Sequence, residues 1–201
     1  MHTSADFDTK LEAQRFRNAF KAVEPRFDAE RADKDILNSI FAWVWKLDWC
    51  NHLGLDYNKG LCLYGSLGLG KSMTVKALQV YMNNLIARGF EDYRLGMYWK
   101  SASVLANIYA ADGQAALIQY SVDNLCVDEL GREPIPASNY GTKMNVLQFL
   151  FQLRYENRKE CVTHVTTNLT MDKITSVYGE YIADRFLEMF NFVEFKGKSL
   201  R

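Results

Sequence analysis

The sequence predicts an α/β fold with a mostly parallel, five-stranded sheet flanked by helices. From residue 59 onward, short apolar runs alternate with longer amphipathic runs, which is the pattern of strands joined by crossover helices. A glycine-rich loop separates the first strand from the first helix, and two later strands end in polar residues. Because the carboxyl ends of parallel strands meet at one edge of a sheet, we expect these polar residues to form one site.

The first 50 residues predict a short helical extension in front of a main domain at 51–201. Apolar side chains recur at helical spacing over 5–24 and again over 33–50, with Pro25 between the two runs. Two interpretations remain open for these helices. Either both cover the core of the main domain, or the first is a docking arm for a partner protein.

The main domain is predicted to contain five strands and four helices. The predicted strands are residues 60–64, 93–99, 124–128, 161–166 and 190–195. The predicted helices are residues 71–88, 103–110, 142–157 and 171–189, the last interrupted near Tyr178 and Gly179. The segment 131–141 contains Pro134 and Pro136 and is predicted to be an irregular loop.

The composition excludes a disordered chain and a protein that coats nucleic acid through bulk charge. Hydrophobic residues make up 48% of the chain, and 24 basic residues balance 24 acidic ones. No run approaches the roughly 18 to 20 apolar residues that span a bilayer, and the polar start lacks the apolar core of a secretory signal. We therefore expect a soluble, cytoplasmic protein that does not act at a membrane.

The four cysteines are widely spaced and form no CxxC pair. Cys62, Cys126 and Cys161 lie in apolar, strand-like runs, where a free cysteine acts as a small hydrophobic side chain. Cys50 and His52 offer only two metal ligands, whereas a structural zinc site needs about four. We therefore expect these cysteines to serve packing.

A phosphate-binding loop is the sharpest motif in the chain. Residues 65–72 read GSLGLGKS and match the pattern GxxxxGK[ST], between an apolar strand and a helix. The glycines allow a tight turn whose N–H groups point inward, and the helix adds its positive N-terminal end. Lys71 is expected to contact the β- and γ-phosphates, and the Ser72 hydroxyl to bind Mg²⁺. The residues expected to bind the nucleotide are Gly65, Ser66, Leu67, Gly68, Leu69, Gly70, Lys71, Ser72 and Met73.

Three further elements are expected to complete a hydrolytic site. Asp128 and Glu129 end an apolar strand, so we expect Asp128 to reach the Mg²⁺ shell and Glu129 to polarise the attacking water. Asn168 follows the next strand, where it can hydrogen-bond that water or the γ-phosphate, or cap the next helix. Arg185 either acts on the γ-phosphate of a neighbouring subunit or pairs with an acidic residue on its own helix.

In this order and spacing, the elements resemble the AAA+ P-loop ATPases of the bacterial replicative helicase loader family. They are equally similar to the related helper ATPases of insertion-sequence transposition, the DnaC/IstB-like group. The resemblance covers about residues 55–201 and rests on the segments GSLGLGKS, LCVDELG, TTN, GEYIADRF and FKGKSLR. The last two segments are more specific than the first, which many nucleotide-hydrolysing proteins share.

The resemblance implies a role for each element and a mode of assembly. It implies an ATP hydrolase that uses Mg²⁺, lacks a C-terminal helical lid and assembles head to tail into a homo-oligomer on ATP and DNA. By the resemblance, Lys71 and Ser72 belong to the Walker A motif, and Asp128 and Glu129 to the Walker B motif. It also implies that Asn168 is sensor 1, Arg185 the arginine finger and Arg201 a late phosphate-sensing residue.

The function implied by the resemblance is the loading of a replicative DNA helicase onto single-stranded DNA. Lys100 and Arg132 are candidate DNA contacts or ordinary surface charges. The same chemistry would serve a transposition helper whose partner is a transposase. Two further functions stay open at this point, a small-molecule P-loop kinase and a non-hydrolysing, nucleotide-gated adaptor.

Overall fold

The computed structural model describes residues 8–29, 32–92 and 94–197. They group into two units, which we call the helical unit and the sheet unit. The helical unit comprises the residues up to Asn58 together with Ser72–Gly96. The sheet unit comprises Lys59–Lys71 together with the residues from Met97 onward. The domain boundary at residue 50 stays a prediction.

The helical unit contains three helices and a short 3₁₀ turn at Asp48–Cys50. The helices are α1 (Thr9–Val23), α2 (Lys34–Trp45) and α3 (Lys71–Ala87), of which Lys71 itself belongs to the sheet unit. Asp8 and Asp33 begin α1 and α2 as N-caps, because their carboxylates accept hydrogen bonds from backbone N–H groups of the first turn. The two helices predicted in the first 50 residues therefore form, with starts set by these caps. The second ends at Trp45 rather than at residue 50, because Lys46 adopts a left-handed conformation with a φ of +56°.

A buried carboxylate fixes α1 to α3 inside the helical unit. Glu12 accepts hydrogen bonds from Arg15 and Arg88, at 2.6 Å each, and from the Tyr81 hydroxyl at 2.9 Å. Phe16 packs beside it, with its ring centroid 5.2 Å from that of Tyr81. This face of α1 is therefore part of the unit's own core.

The sheet unit is built on a five-stranded parallel sheet, as predicted. The strands of the unit are β1 (Gly60–Gly65), β2 (Tyr98–Ser101), β3 (Leu125–Leu130), β4 (Ala137–Asn139), β5 (Thr142–Met144), β6 (Thr163–Thr167) and β7 (Phe190–Phe195). The main sheet has the order β2–β3–β6–β1–β7, and β4 pairs with β5 in a separate antiparallel hairpin. Among the described residues, no helix follows β7.

Helices cover the sheet and enclose its core. The helices of this unit are α4 (Ala102–Asp112), α5 (Val146–Glu156), α6 (Met171–Tyr178) and α7 (Glu180–Met189), with a 3₁₀ helix at Gln114–Tyr120. Val127 and Val165 from neighbouring strands pack with Phe151 of α5 and Phe186 of α7, whose ring centroids are 4.8 Å apart. The predicted break before α7 is confirmed at Gly179, where φ is +88°.

Two further sequence predictions are wrong in detail. β2 begins at Tyr98 rather than at residue 93, because residues 94–97 lead into it through a turn around the buried side chain of Arg94. Tyr93 itself lies outside the described residues. The helix predicted over 142–157 begins only at Val146, since residues 142–144 pair with 137–139 as the β4–β5 hairpin. That hairpin also replaces the last part of the predicted irregular loop, and it turns at Tyr140 and Gly141 with positive φ at both.

All four cysteines are free and buried. Burial raises the pKa of the Cys62 thiol to about 12, which suits a packing side chain. None of the helices in the described ranges is long and apolar enough to cross a membrane. Across residues 8–29, 32–92 and 94–197, no three metal-ligating side chains gather into a group that could hold a metal ion.

Candidate functional site

The predicted phosphate loop connects β1 directly to α3. β1 ends at Gly65 and α3 begins at Lys71, so five residues form the turn, as the motif requires. Gly65 has a φ of +132°, and a Cβ at this position would lie 2.3 Å from the carbonyl oxygen of Phe195 on β7. Only glycine therefore fits at the start of the loop. Gly68 and Gly70 also have positive φ, which shapes the rest of the turn.

Lys71 holds its charge inside this loop. Its Nζ donates hydrogen bonds to the carbonyl oxygens of Gly65, at 2.8 Å, and Ser66, at 2.7 Å, and the residue is 7% exposed. Burial lowers the pKa of the ammonium, although the carboxylates of Asp128 and Glu129 act in the opposite direction. A poorly hydrated cation among backbone groups is well suited to binding a phosphate.

Asp128 and Glu129, which we call the acid pair, lie at an irregular end of β3. The pairing of β3 with β6 shifts register between Val127 and Leu130, and Glu129 has a φ of +56°. Asp128 is buried, whereas the Glu129 side chain is 45% exposed and lies 3.7 Å from Arg132 in an ion pair. A left-handed conformation is unfavourable for a residue with a Cβ, and such backbone outliers cluster at functional sites.

The strand β6 brings the phosphate loop and the acid pair to one edge of the sheet. β6 lies between β1 and β3, and its last residue, Thr167, is level with Tyr64 on one side and Leu130 on the other. Asn168 comes next and is exposed, so it stands between the start of the loop and the end of β3. The sheet therefore places Lys71, Asp128, Glu129 and Asn168 at the same edge, as predicted from the strand ends.

Thr166 is a member of this site that sequence reasoning missed. Its buried hydroxyl donates a hydrogen bond to the Asp128 carboxylate and accepts one from the Glu129 N–H at 3.0 Å. Threonine is common in strands, and the sequence carries no signal that distinguishes this one. Only the alignment of β3 with β6 reveals the contact.

A second missed contact anchors the segment after β3. The Glu133 carboxylate accepts a hydrogen bond from the Gly131 N–H at 2.8 Å and another from the Tyr178 hydroxyl at the end of α6. Glu133 is buried, so the chain that follows the acid pair is tied to the body of the sheet unit.

Arg185 lies on α7 and contacts two tyrosines. Its guanidinium lies 3.1 Å from the ring centroid of Tyr181 and 4.5 Å from that of Tyr155, and Nη1 donates to the Tyr181 carbonyl oxygen at 3.2 Å. The ion pair with Asp184 or Glu188 that the sequence left open is not formed within the described residues, and Glu188 pairs with Arg158 instead.

Arg185, Ser72, Met73 and Arg201 are further residues predicted for the site. None of the contacts described for Arg185 reaches the phosphate loop. Ser72 and Met73 are the second and third residues of α3, and both are half-buried. Arg201 lies outside the described residues.

The donors present suit a nucleoside triphosphate with its magnesium ion. The loop combines a buried ammonium with a backbone turn that a Cβ at its first position would disrupt. The hydroxyl of Ser72 and the carboxylate of Asp128 are oxygen ligands of the kind that Mg²⁺ prefers.

Comparison with solved structures finds the same fold in helicase loaders. A crystal structure of the DnaC helicase loader matches with a TM-score of 0.59 and 20% identity, over 91% of this chain and 99% of that chain. A crystal structure of DnaI matches with a TM-score of 0.57 and 19% identity, over 90% and 94% of the two chains. A candidate primosome component from Streptococcus pyogenes serotype M3 matches with a TM-score of 0.55 and 17% identity, over 97% and 100%.

These likenesses establish the fold. No protein-family model matches the sequence, and no curated protein matches it significantly. The predicted P-loop fold with a five-stranded sheet is confirmed, and so, at the level of the fold, is the predicted resemblance to the helicase loaders.

Proposed function

We propose that this chain is a Mg²⁺-dependent ATPase of the AAA+ type that loads or remodels a replicative DNA helicase. The observation that carries the proposal is the arrangement at one sheet edge. The Lys71 ammonium is buried in a glycine-rich loop, and Asp128 and Glu129 end a strand at the same edge. This arrangement combines an anion cradle, an oxygen ligand for a metal ion and a half-exposed base.

The chemistry assigned to these groups is hydrolysis of the terminal phosphate. Ser72 and Asp128 would hold Mg²⁺, which supplies charge neutralisation to the β- and γ-phosphates. Glu129 would accept a proton from water as the water oxygen attacks the γ-phosphorus. The bond from phosphorus to the bridging oxygen then breaks, and ADP and inorganic phosphate leave. Asn168 would orient the water or the γ-phosphate.

Arg185 is proposed to act between subunits in a head-to-tail assembly. A guanidinium can stabilise the charge that develops on the γ-phosphate, and the two tyrosine rings hold it on the surface of α7. Arg201 is proposed as a second phosphate-sensing group. ATP binding would order the assembly, and hydrolysis would release it.

The partner assignment draws on the fold and on the neighbours that share it. The solved structures that match over nine-tenths of the chain include the DnaC helicase loader. We propose a cytoplasmic location, with a replicative helicase and single-stranded DNA as partners. A transposase is the second candidate partner for the same ATPase chemistry.

Two substitutions test the ATPase assignment. Lys71→Ala should abolish binding of a fluorescent ATP analogue, because the loop loses its cation. Glu129→Gln should bind the analogue with Mg²⁺ at normal affinity but release no phosphate, because an amide cannot accept the proton. The exposed residues Lys173 and Glu160 provide matched controls as Lys173→Ala and Glu160→Gln, which should behave like the wild type.

The outcomes separate the candidate functions. Normal turnover in Glu129→Gln would remove Glu129 from the role of base. Nucleotide binding without turnover in the wild-type chain, even with DNA and partner present, would identify a nucleotide-gated adaptor. Phosphate transfer to an added metabolite would identify a kinase. Capture of the full chain by purified helicase or by purified transposase, with and without ATP, would choose between the two partners.

A further inference from the structure

One hydroxyl group connects both members of the acid pair. The Thr166 hydroxyl donates to the Asp128 carboxylate and accepts the Glu129 N–H at 3.0 Å. Thr166 is 1% exposed, and no other contact of its hydroxyl is described. The group therefore lies where it controls the direction of one side chain and the backbone of the next residue.

The backbone at Glu129 departs from regular strand geometry. Glu129 has a φ of +56° and lies in the register shift between Val127 and Leu130. A bulged residue leaves the regular ladder of hydrogen bonds, so its N–H needs another acceptor. The Thr166 hydroxyl supplies that acceptor from the neighbouring strand.

The adjacent residue provides an internal comparison. The Thr167 hydroxyl also donates one hydrogen bond and accepts one, to the Leu130 carbonyl oxygen at 2.8 Å and from the Leu169 N–H at 3.0 Å. Thr167 is as deeply buried as Thr166. The two threonines share strand, burial and bonding pattern, and only Thr166 contacts the acids.

We propose that Thr166 is a positioning residue for ATP hydrolysis, which directs Asp128 toward the metal ion and holds Glu129 in its left-handed conformation. This inference rests on the proposed ATPase function. Thr166 itself touches no substrate, and it acts through the orientation of the two acids. It should therefore affect turnover and the requirement for Mg²⁺, and leave binding of nucleotide without metal unchanged.

The first test uses the chain without nucleotide. In Thr166→Val the Glu129 amide should exchange its hydrogen about tenfold faster, as measured by NMR, because its acceptor is gone. Thr166→Ser, which keeps the hydroxyl, should restore the slow rate. Thr167→Val should instead accelerate the Leu169 amide and leave the Glu129 amide unchanged. This readout does not depend on activity.

The second test measures turnover. Thr166→Val should lower kcat by about 10- to 100-fold and raise the Mg²⁺ concentration at half-maximal rate, with Thr166→Ser close to wild type. Thr167→Val should leave the Mg²⁺ requirement unchanged. Thr166→Ala removes the same hydroxyl without adding a methyl group against Asp128, and it replaces the valine variant if that variant does not fold.

The inference and the proposed function fail in different ways. If the wild type hydrolyses ATP but Thr166→Val keeps the same Mg²⁺ requirement and the same Glu129 exchange rate, Thr166 is not a positioning residue. The same conclusion follows if Thr166→Ser is as impaired as Thr166→Val. If the wild type neither binds nor hydrolyses ATP, the proposed function is wrong, together with the role in hydrolysis assigned here to Thr166.

Discussion

Charged side chains in the helical unit and at the edge of the sheet unit are bonded in different ways. In the helical unit, the Arg94 guanidinium is bonded to Asp92 and to the carbonyl oxygens of Trp43, Val44 and Tyr57. At the edge of the sheet unit, Lys71 is bonded to carbonyl oxygens of its own loop, and Glu129 is half-exposed in a left-handed conformation.

The difference separates charges that stabilise the fold from charges that are available to a ligand. Arg154 shows that the distinction depends on the site rather than on the unit. It lies in the sheet unit, at the amino ends of β3 and β6 rather than at their carboxyl ends, and carbonyl oxygens of Tyr120, Asp123 and Val162 surround its guanidinium. Carbonyl oxygens from separate segments of the chain hold Arg94 and Arg154, which indicates an architectural role. Lys71 is held by its own loop, and Glu129 is half-exposed in a left-handed conformation, which indicates function.

The largest effect on stability is expected from Arg94. Arg94→Met leaves the Asp92 carboxylate with only the longer ion pair to Lys46, at 3.9 Å, and frees the carbonyl oxygens that Arg94 bonds, so it should lower the free energy of unfolding by about 3–5 kcal/mol. Urea denaturation followed by circular dichroism measures the loss. Arg17→Met, at an exposed position on α1, should change stability by less than about 0.5 kcal/mol. A small loss at Arg94 would contradict the architectural role.

A smaller, pH-dependent effect is expected from Glu12. Burial alone would raise the pKa of Glu12, but hydrogen bonds from Arg88, Arg15 and Tyr81 outweigh it and hold the pKa below its ordinary value of 4.5. The folded-state pKa of Glu12 is therefore lower than its pKa in the unfolded chain. The stabilisation is complete above the unfolded-state pKa and is lost as pH falls through the folded-state pKa.

Glu12→Gln should therefore cost about 2 kcal/mol at neutral pH, with the difference from wild type shrinking in acid. Urea denaturation over a pH series measures this difference. A gap that stayed constant with pH would show that the charge of Glu12 is not what stabilises α1.

At Glu129, in contrast, a substitution should increase the stability of the fold. Glu129→Gly relieves the left-handed backbone and should raise the free energy of unfolding by about 1 kcal/mol, while ATP turnover is lost. Glu129→Gln keeps the Cβ and should leave stability near wild type, with turnover also lost. Thermal unfolding and phosphate release, measured on the same samples, test both statements. Destabilisation by glycine would mean that the conformation is not strained.

The smallest effect on stability is expected at Tyr181, one of the two tyrosines that contact Arg185. Tyr181→Leu removes one aromatic face and should lower the free energy of unfolding by about 0.5 kcal/mol. Tyr181→Phe keeps the face and serves as the control. Equal stability of the two variants would show that the ring face contributes nothing to holding the guanidinium.

The sequence predicted the parts of the molecule that depend on neighbouring residues. Glycine spacing defines the phosphate loop, and apolar runs that end in polar side chains define the edge of the sheet where Asp128 and Asn168 lie. Both patterns are local, because a turn and a strand each extend over a few residues. Gly179 likewise ends α6 by its own backbone conformation.

The contacts that were missed depend on residues that are distant in the chain. Thr166 meets Asp128 only because β6 pairs with β3, and Glu133 meets Tyr178 only after the chain has folded. The turn before β2 is held by hydrogen bonds from Arg94 to the carbonyl oxygens of Trp43 and Val44, about 50 residues earlier in the chain. Periodicity carries no information about such pairs, so the structure was needed to find them.

Because all four cysteines are buried, their reaction with a thiol reagent can report local opening of the native chain. A thiol reagent reaches a buried sulfur only when the surrounding structure opens, so the labelling rate reports the frequency of opening. Cys50 belongs to the helical unit, whereas Cys62, Cys126 and Cys161 belong to the sheet unit. Mass spectrometry of labelled peptides would therefore measure the opening rate of each unit separately, without an engineered residue.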